Sequence, residues 1–138
     1  MTIMPPSPQL LSAIALQIPD GLICAGADGN ILLWNDGAER IFGHTAAETV
    51  GRSLDLIIPE AFREAHDKGF RRAIASGRTR HAAGRVLTTR SLHKNGSRLY
   101  VDLSFGLLRD EAGKVIGVLA VARDCTEREL AARAARKS

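Results

Sequence analysis

Leu99-Tyr100-Val101-Asp102-Leu103-Ser104-Phe105-Gly106-Leu107-Leu108 decides the fold class. Leu99, Val101, Leu103 and Phe105 alternate with Tyr100, Asp102, Ser104 and Gly106. That two-residue period predicts a strand with one buried face. Asp110-Glu111-Ala112-Gly113 is a turn signal after it. Val115 to Val121 follows and is nearly all apolar, as expected of a central strand. On the other side, Lys94-Asn95-Gly96-Ser97 is a turn that leads back to a strand over Arg85–Arg90.

Further upstream the period changes. Pro59 to Ser76, stopped by Gly77, predicts the longest helix. Phe62, Ala65, Gly69, Phe70, Ala73 and Ile74 form its apolar stripe, and Glu60, Arg63, Glu64, Asp67, Lys68, Arg71 and Arg72 its polar face. His66 interrupts the stripe, with Phe62 and Phe70 one turn to either side. Before this helix, Leu22–Ala25 and Ile31–Trp34 flank the turn Ala27-Asp28-Gly29-Asn30 and predict a hairpin. Short helices are expected from Asn35 or Asp36 to Gly43, from Ala46 to Val50, and over Asp55–Ile58. Ser7-Pro8 opens an N-terminal helix carrying Leu10, Leu11, Ile14 and Ile18. Thr126-Glu127-Arg128-Glu129 reads as a capping box that opens a terminal helix. Helices segregated from an antiparallel sheet of five strands make an α+β fold.

Composition agrees with one soluble domain. The chain has 138 residues, 45% hydrophobic and 25% charged. Its longest near-apolar run, Val115–Ala122, is far short of the roughly 20 residues of a membrane helix. Met1–Gln9 carries no basic cluster ahead of an apolar stretch, so a secretory signal is not expected and the protein reads as cytoplasmic. Cys24 and Cys125 stand apart in no metal spacing. The net charge of +4 is uneven: residues 60–100 hold ten Lys/Arg against three Asp/Glu. Without interleaved aromatic residues, this basic middle reads as a solvated face or an anion-binding rim, and nucleic acid is not an expected partner. No phosphate loop, nucleophile elbow or zinc-protease motif is present, so the chain is not expected to be an enzyme.

Several stretches, in order, resemble a PAS domain: Ile18-Pro19-Asp20-Gly21-Leu22-Ile23, Asp28-Gly29-Asn30-Ile31, Asn35 with Ala38-Glu39-Arg40-Ile41-Phe42-Gly43, Glu48-Thr49-Val50-Gly51, and Lys94-Asn95-Gly96. Arg123-Asp124-Cys125-Thr126-Glu127-Arg128 looks like the Asp-Ile-Thr junction between PAS domains and signalling helices, with cysteine in place of isoleucine. The resemblance implies a PAS fold, a five-stranded antiparallel sheet with helices packed on one face plus N-terminal and C-terminal flanking helices. Its expected layout is an N-terminal arm over 1–9, a PAS domain over 10–125 with a flanking helix at about 8–18, and the start of a signalling helix over 126–138.

From the residues alone, a histidine on an apolar face is most often structural, bonded through a ring nitrogen to a carbonyl. The segment Ile58-Pro59-Glu60-Ala61-Phe62-Arg63-Glu64-Ala65-His66-Asp67 resembles the proximal-histidine helix of haem-binding PAS domains of oxygen-sensing, FixL-type histidine kinases. That resemblance implies haem b, with His66 as the proximal iron ligand. It also implies that Arg72 and His81 contact propionates, that Arg85 in Gly84-Arg85-Val86 lies on the distal side, and that Leu103 and Phe105 stand where the family has aliphatic distal residues. Phe105 is a bulky departure.

Two readings follow. In one, the chain is a haem-based gas or redox sensor acting on a downstream histidine kinase or other signalling output. In the other, it is a haem-free interaction module with His66 in the core and the cavity filled by Phe62, Phe70 and Phe105. In both, the apolar N-terminal helix is expected to pack on a second copy, giving a homodimer.

Overall fold

The computed structural model describes residues 4–79 and 84–137. Helix α1 spans Pro8–Gln17, strands β1 and β2 Gly21–Gly26 and Ile31–Trp34, and helices α2 and α3 Asp36–Phe42 and Ala46–Thr49. A 3-10 turn over Leu54–Ile57 leads to helix α4, Glu60–Ser76. Strands β3, β4 and β5 are Leu87–Leu92, Arg98–Arg109 and Val115–Asp124, and helix α5 is Thr126–Lys137. The strands form one five-stranded sheet in the order β2-β1-β5-β4-β3, with every pairing antiparallel. The fold is α+β, and the apolar β5 is its middle strand, as its composition predicts.

Local chemistry explains most boundaries. Ser7 caps α1, its hydroxyl accepting from Leu10 N at 3.1 Å, with Pro8 in the first turn. Gly77, at φ +69°, closes α4 in the left-handed region. Gly43, at φ +86°, closes α2, and the His93 ring occupies the space a Cβ would need.

Some expectations are corrected. Strand β3 runs over 87–92, not 85–90, because the Lys94–Ser97 turn pairs Leu92 with Arg98 and the ladder then ends at Leu87 opposite Leu103. Arg85 therefore precedes the strand. The capping box lies at Thr45 and Glu48, whose side chains each accept from the other's backbone N–H. Thr126 is already helical, and its hydroxyl is engaged by Tyr100 and Asp124 instead. Helix α1 begins at Pro8, where the Ser7-Pro8 signal places it.

The packed core lies under α2 and the 3-10 turn. Ile23, Ile31, Trp34, Phe42, Ile57 and Val101 are its main members. Asn35, 1% exposed, joins three segments. Its Oδ1 accepts from Leu22 N at 2.8 Å and Ala38 N at 2.9 Å, and its Nδ2 donates to Ile18 O and Asp20 O. Every polar group of this buried side chain is thus satisfied, while it also caps α2.

Candidate functional site

The other end of the same sheet face is hollow. Helix α4 has an apolar stripe, but none of its residues is buried. Phe62 is 48% exposed. The stripe roofs a cavity of about 600 Å³, within the usual range of small-molecule sites. Side-chain size accounts for the space. Ala65, Gly69 and Ala73 on the roof face Ala25 and Ala120 on the floor. A Cβ built on Gly69 would meet nothing within 4 Å. Phe62, Phe70 and Phe105 all border the cavity, and it remains open between them, which corrects the expectation that they fill it.

His66 points this chemistry in one direction. It lines the cavity and is half-buried. Its ring lies 6.1 Å from the Phe70 ring, and no described residue hydrogen-bonds either nitrogen. The carbonyl partner expected of a structural histidine is therefore missing among the described residues. Burial pushes the imidazole pKa below its ordinary value, partly opposed by Asp55 and Asp67. Burial thus favours the neutral ring, the form that donates a lone pair to a metal.

The structure gathers some of the other expected residues and not all. Leu103 and Phe105 lie on β4 and Arg85 before β3, and all three border the cavity with His66. Arg72 is exposed and is not among the lining residues. Six residues along a helix turn the side chain about 120° away from His66. His81 lies outside the described residues. The donor set present, one imidazole, apolar walls and a guanidinium at the border, fits haem.

One lining residue escaped the sequence reading. Thr89 of β3 borders the cavity, and its Oγ1 is buried with no hydrogen-bond partner among the described residues. Such an unpaired hydroxyl costs about 1–3 kcal/mol. The available signal was alternation: Leu87, Thr89 and Ser91 share one face of β3, so polar atoms stand in an otherwise apolar wall.

Strand β4 links this wall to the terminal helix. Next to Leu103, Asp102 holds Arg128 of α5 through two contacts, 2.8 and 2.9 Å, and accepts from the Thr88 hydroxyl at 2.6 Å. Arg128, then Thr88, holds the Asp102 carboxyl down at about 2. Tyr100 N donates to Thr126 Oγ1 at 3.0 Å, and the Arg133 guanidinium lies 4.8 Å above the Tyr100 ring. Burial, then Asp102, pushes the Cys125 thiol up to about 11, so this cysteine is not a reactive thiolate. Among the described residues no cluster of three or more His, Cys, Asp or Glu could hold a metal ion, and no helix is long and apolar enough to cross a membrane.

Comparison with known proteins fits this architecture. Residues 16–130 match the sequence profile of the PAS fold. An uncharacterised protein of Azorhizobium caulinodans is 32% identical over 116 residues, covering 83% of this chain and 15% of that protein. The sensor protein FixL of Bradyrhizobium diazoefficiens is 29% identical over 120 residues, covering 86% of this chain and 23% of FixL. The oxygen sensor protein DosP of Escherichia coli is 26% identical, covering 77% of this chain and 13% of DosP. The chain thus spans less than a quarter of each of these relatives. Among solved structures, a PAS domain from Colwellia psychrerythraea superposes with a TM-score of 0.73 at 18% identity, covering 86% of this chain and 97% of that one. An RNA-binding light-oxygen-voltage receptor superposes at 0.70 with 23% identity, covering 93% of this chain and 38% of that one. At these identities the structural likenesses speak for the fold alone.

Proposed function

The chain belongs to the PAS fold family, and from that premise we propose that it is a sensory module that binds haem b in the cavity under α4, with His66 as the axial ligand. The observation that carries this reading is the place of His66: half-buried in the wall of an apolar cavity, with no described hydrogen-bond partner. Haem would supply an iron centre able to bind a small gas or change redox state. Everything else is the work of this chain's own residues. His66 would hold the iron through a ring nitrogen. Leu103 and Phe105 exclude water on the floor, and Arg85 offers a positive charge at the border. Resemblance to FixL and DosP, both named as sensors, supports this reading.

The output runs through β4. Leu103 feels the occupant, and Asp102 beside it holds α5. A shift of β4 would change the grip on Arg128 and Thr126. Helix α5 then hands the change to a histidine kinase or another signalling output in the cytoplasm. The exposed Leu10, Leu11 and Ile14 of α1 favour a homodimer through that helix. This module senses and transmits without catalysis of its own.

A second reading has one observation in its favour. Phe105 projects a large ring where an aliphatic wall is expected, which suits a smaller ligand or an interaction module without haem.

Visible absorption after adding haemin and removing the excess separates the two. A sharp Soret band that shifts on reduction and with carbon monoxide, and is lost in His66→Ala, is the expected result. A featureless spectrum from folded protein, or full haem retention by His66→Ala, overturns the assignment.

A further inference from the structure

The polar chemistry of the cavity wall is uneven in a way that bears on what the cavity selects. Thr88 and Thr89 are consecutive on β3, and the strand turns them to opposite sides. The Thr88 hydroxyl is fully engaged, donating to Asp102 Oδ1 at 2.6 Å. Thr89 lines the cavity, and its Oγ1 is buried beside it with no partner among the described residues. Its cross-strand neighbour is Val101, which offers no polar side-chain atom. A valine in this place would complete the apolar wall at no such cost. Rotation about Cα–Cβ by one rotamer step brings the hydroxyl to another face of the side chain, so an occupant with a hydrogen-bond acceptor can recruit it.

The wall also has a direction. His66 reaches in from α4, while Thr89 and Leu103 belong to the paired strands β3 and β4 across the cavity. We infer that Thr89 is a specificity-determining residue: its hydroxyl is kept for a hydrogen-bond-accepting atom on the sheet side of the occupant, the side turned away from His66. The inference rests on the haem reading, under which the accepting atom belongs to a small polar molecule such as carbon monoxide or oxygen. The hydroxyl then favours ligands with a partly negative outer atom over apolar ones.

Three proteins test this: wild type, Thr89→Val, which removes the hydroxyl at nearly constant shape, and Thr89→Ser, which keeps it. After haemin loading, the C–O stretch of the carbon monoxide complex is recorded, together with the oxygen dissociation rate. In Thr89→Val the stretch should move to higher frequency and oxygen should leave about fivefold faster, the size of one neutral hydrogen bond. Thr89→Ser should stay near wild type. Unchanged frequency and rate in haem-loaded Thr89→Val overturn the Thr89 role and leave the haem reading standing. No Soret band in any of the three overturns both. Urea unfolding of haem-free Thr89→Val gives a separate check. Stability equal to or above wild type is expected, because an unpaired polar group is removed. A clear loss would mean that the hydroxyl is already paired within the fold, and would overturn the inference.

Discussion

One face of the sheet carries two halves built to different rules. Under α2 and the 3-10 turn, Trp34 and Phe42 lie 5.4 Å apart between ring centroids and are almost fully buried, and the buried Asn35 satisfies four hydrogen bonds. Under α4, alanines and a glycine face alanines, no helix residue is buried, and the polar side chains of His66 and Thr89 lack described partners. The first half spends large side chains on stability. The second keeps small ones apart and leaves its polar atoms for something else. A fold this size can hold a cavity because the packed half carries the stability.

The largest expected effect contrasts two phenylalanines. Phe42→Ala should cost about 4 kcal/mol, the loss of a fully buried ring. Phe62→Ala, on the half-exposed roof, should cost roughly 0.5 kcal/mol or less. Urea unfolding of both variants measures the gap, and equal costs would mean that the roof is packed and the cavity closed in solution.

A local effect comes next. Asp102 lies on the face of β4 away from the cavity and holds α5 through Arg128. Its folded pKa of about 2 is below the ordinary carboxylate value, so its contribution is present above about pH 4 and is lost as pH falls toward 2. The protection of α5 amides, taken relative to their intrinsic exchange rate at each pH, should fall over that window and, at neutral pH, in Asp102→Asn. Exchange in β1 should hardly change at neutral pH in that variant. Protection of α5 that is indifferent to Asp102 would remove this carboxylate from the output path.

The smallest effect sharpens the comparison by sign. Gly69 is a helix-interior glycine with open space at its Cβ. Gly69→Ala should raise stability by about 0.5–1 kcal/mol, since the helix gains and nothing clashes. Gly37→Ala, in the packed half, should do the opposite, because its Cβ would strike the Asp20 carbonyl. Thermal unfolding of the pair reads both signs. A loss at Gly69 would indicate that the roof sits closer to the sheet than the cavity allows.

Much of this was legible along the chain. Alternation in Leu99–Phe105, the apolar run Val115–Val121 and the stop at Gly77 led directly to β4, β5 and the end of α4. The stripe containing His66 is the face of α4 that lines the cavity. The capping box was misplaced because Thr45–Glu48 and Thr126–Glu129 carry the same local signal, and only a nearby strand diverts the second threonine to Tyr100. The propionate contact of Arg72 is an implication of the resemblance, and the structure shows only that this side chain is exposed and outside the cavity lining.

What the residues determined by themselves was periodicity: which segments are helix or strand, and which face of each is apolar. Those properties follow from local backbone geometry and the side-chain repeat. The tertiary structure alone decided that the apolar face of α4 would cover a space instead of a packed core. An apolar stripe reads the same in either case, and only the distance between roof and floor, set by small residues brought together from α4, β1 and β5, distinguishes them. The same holds for Thr89, whose unpaired hydroxyl becomes visible only when every neighbour that might have bonded it is in place.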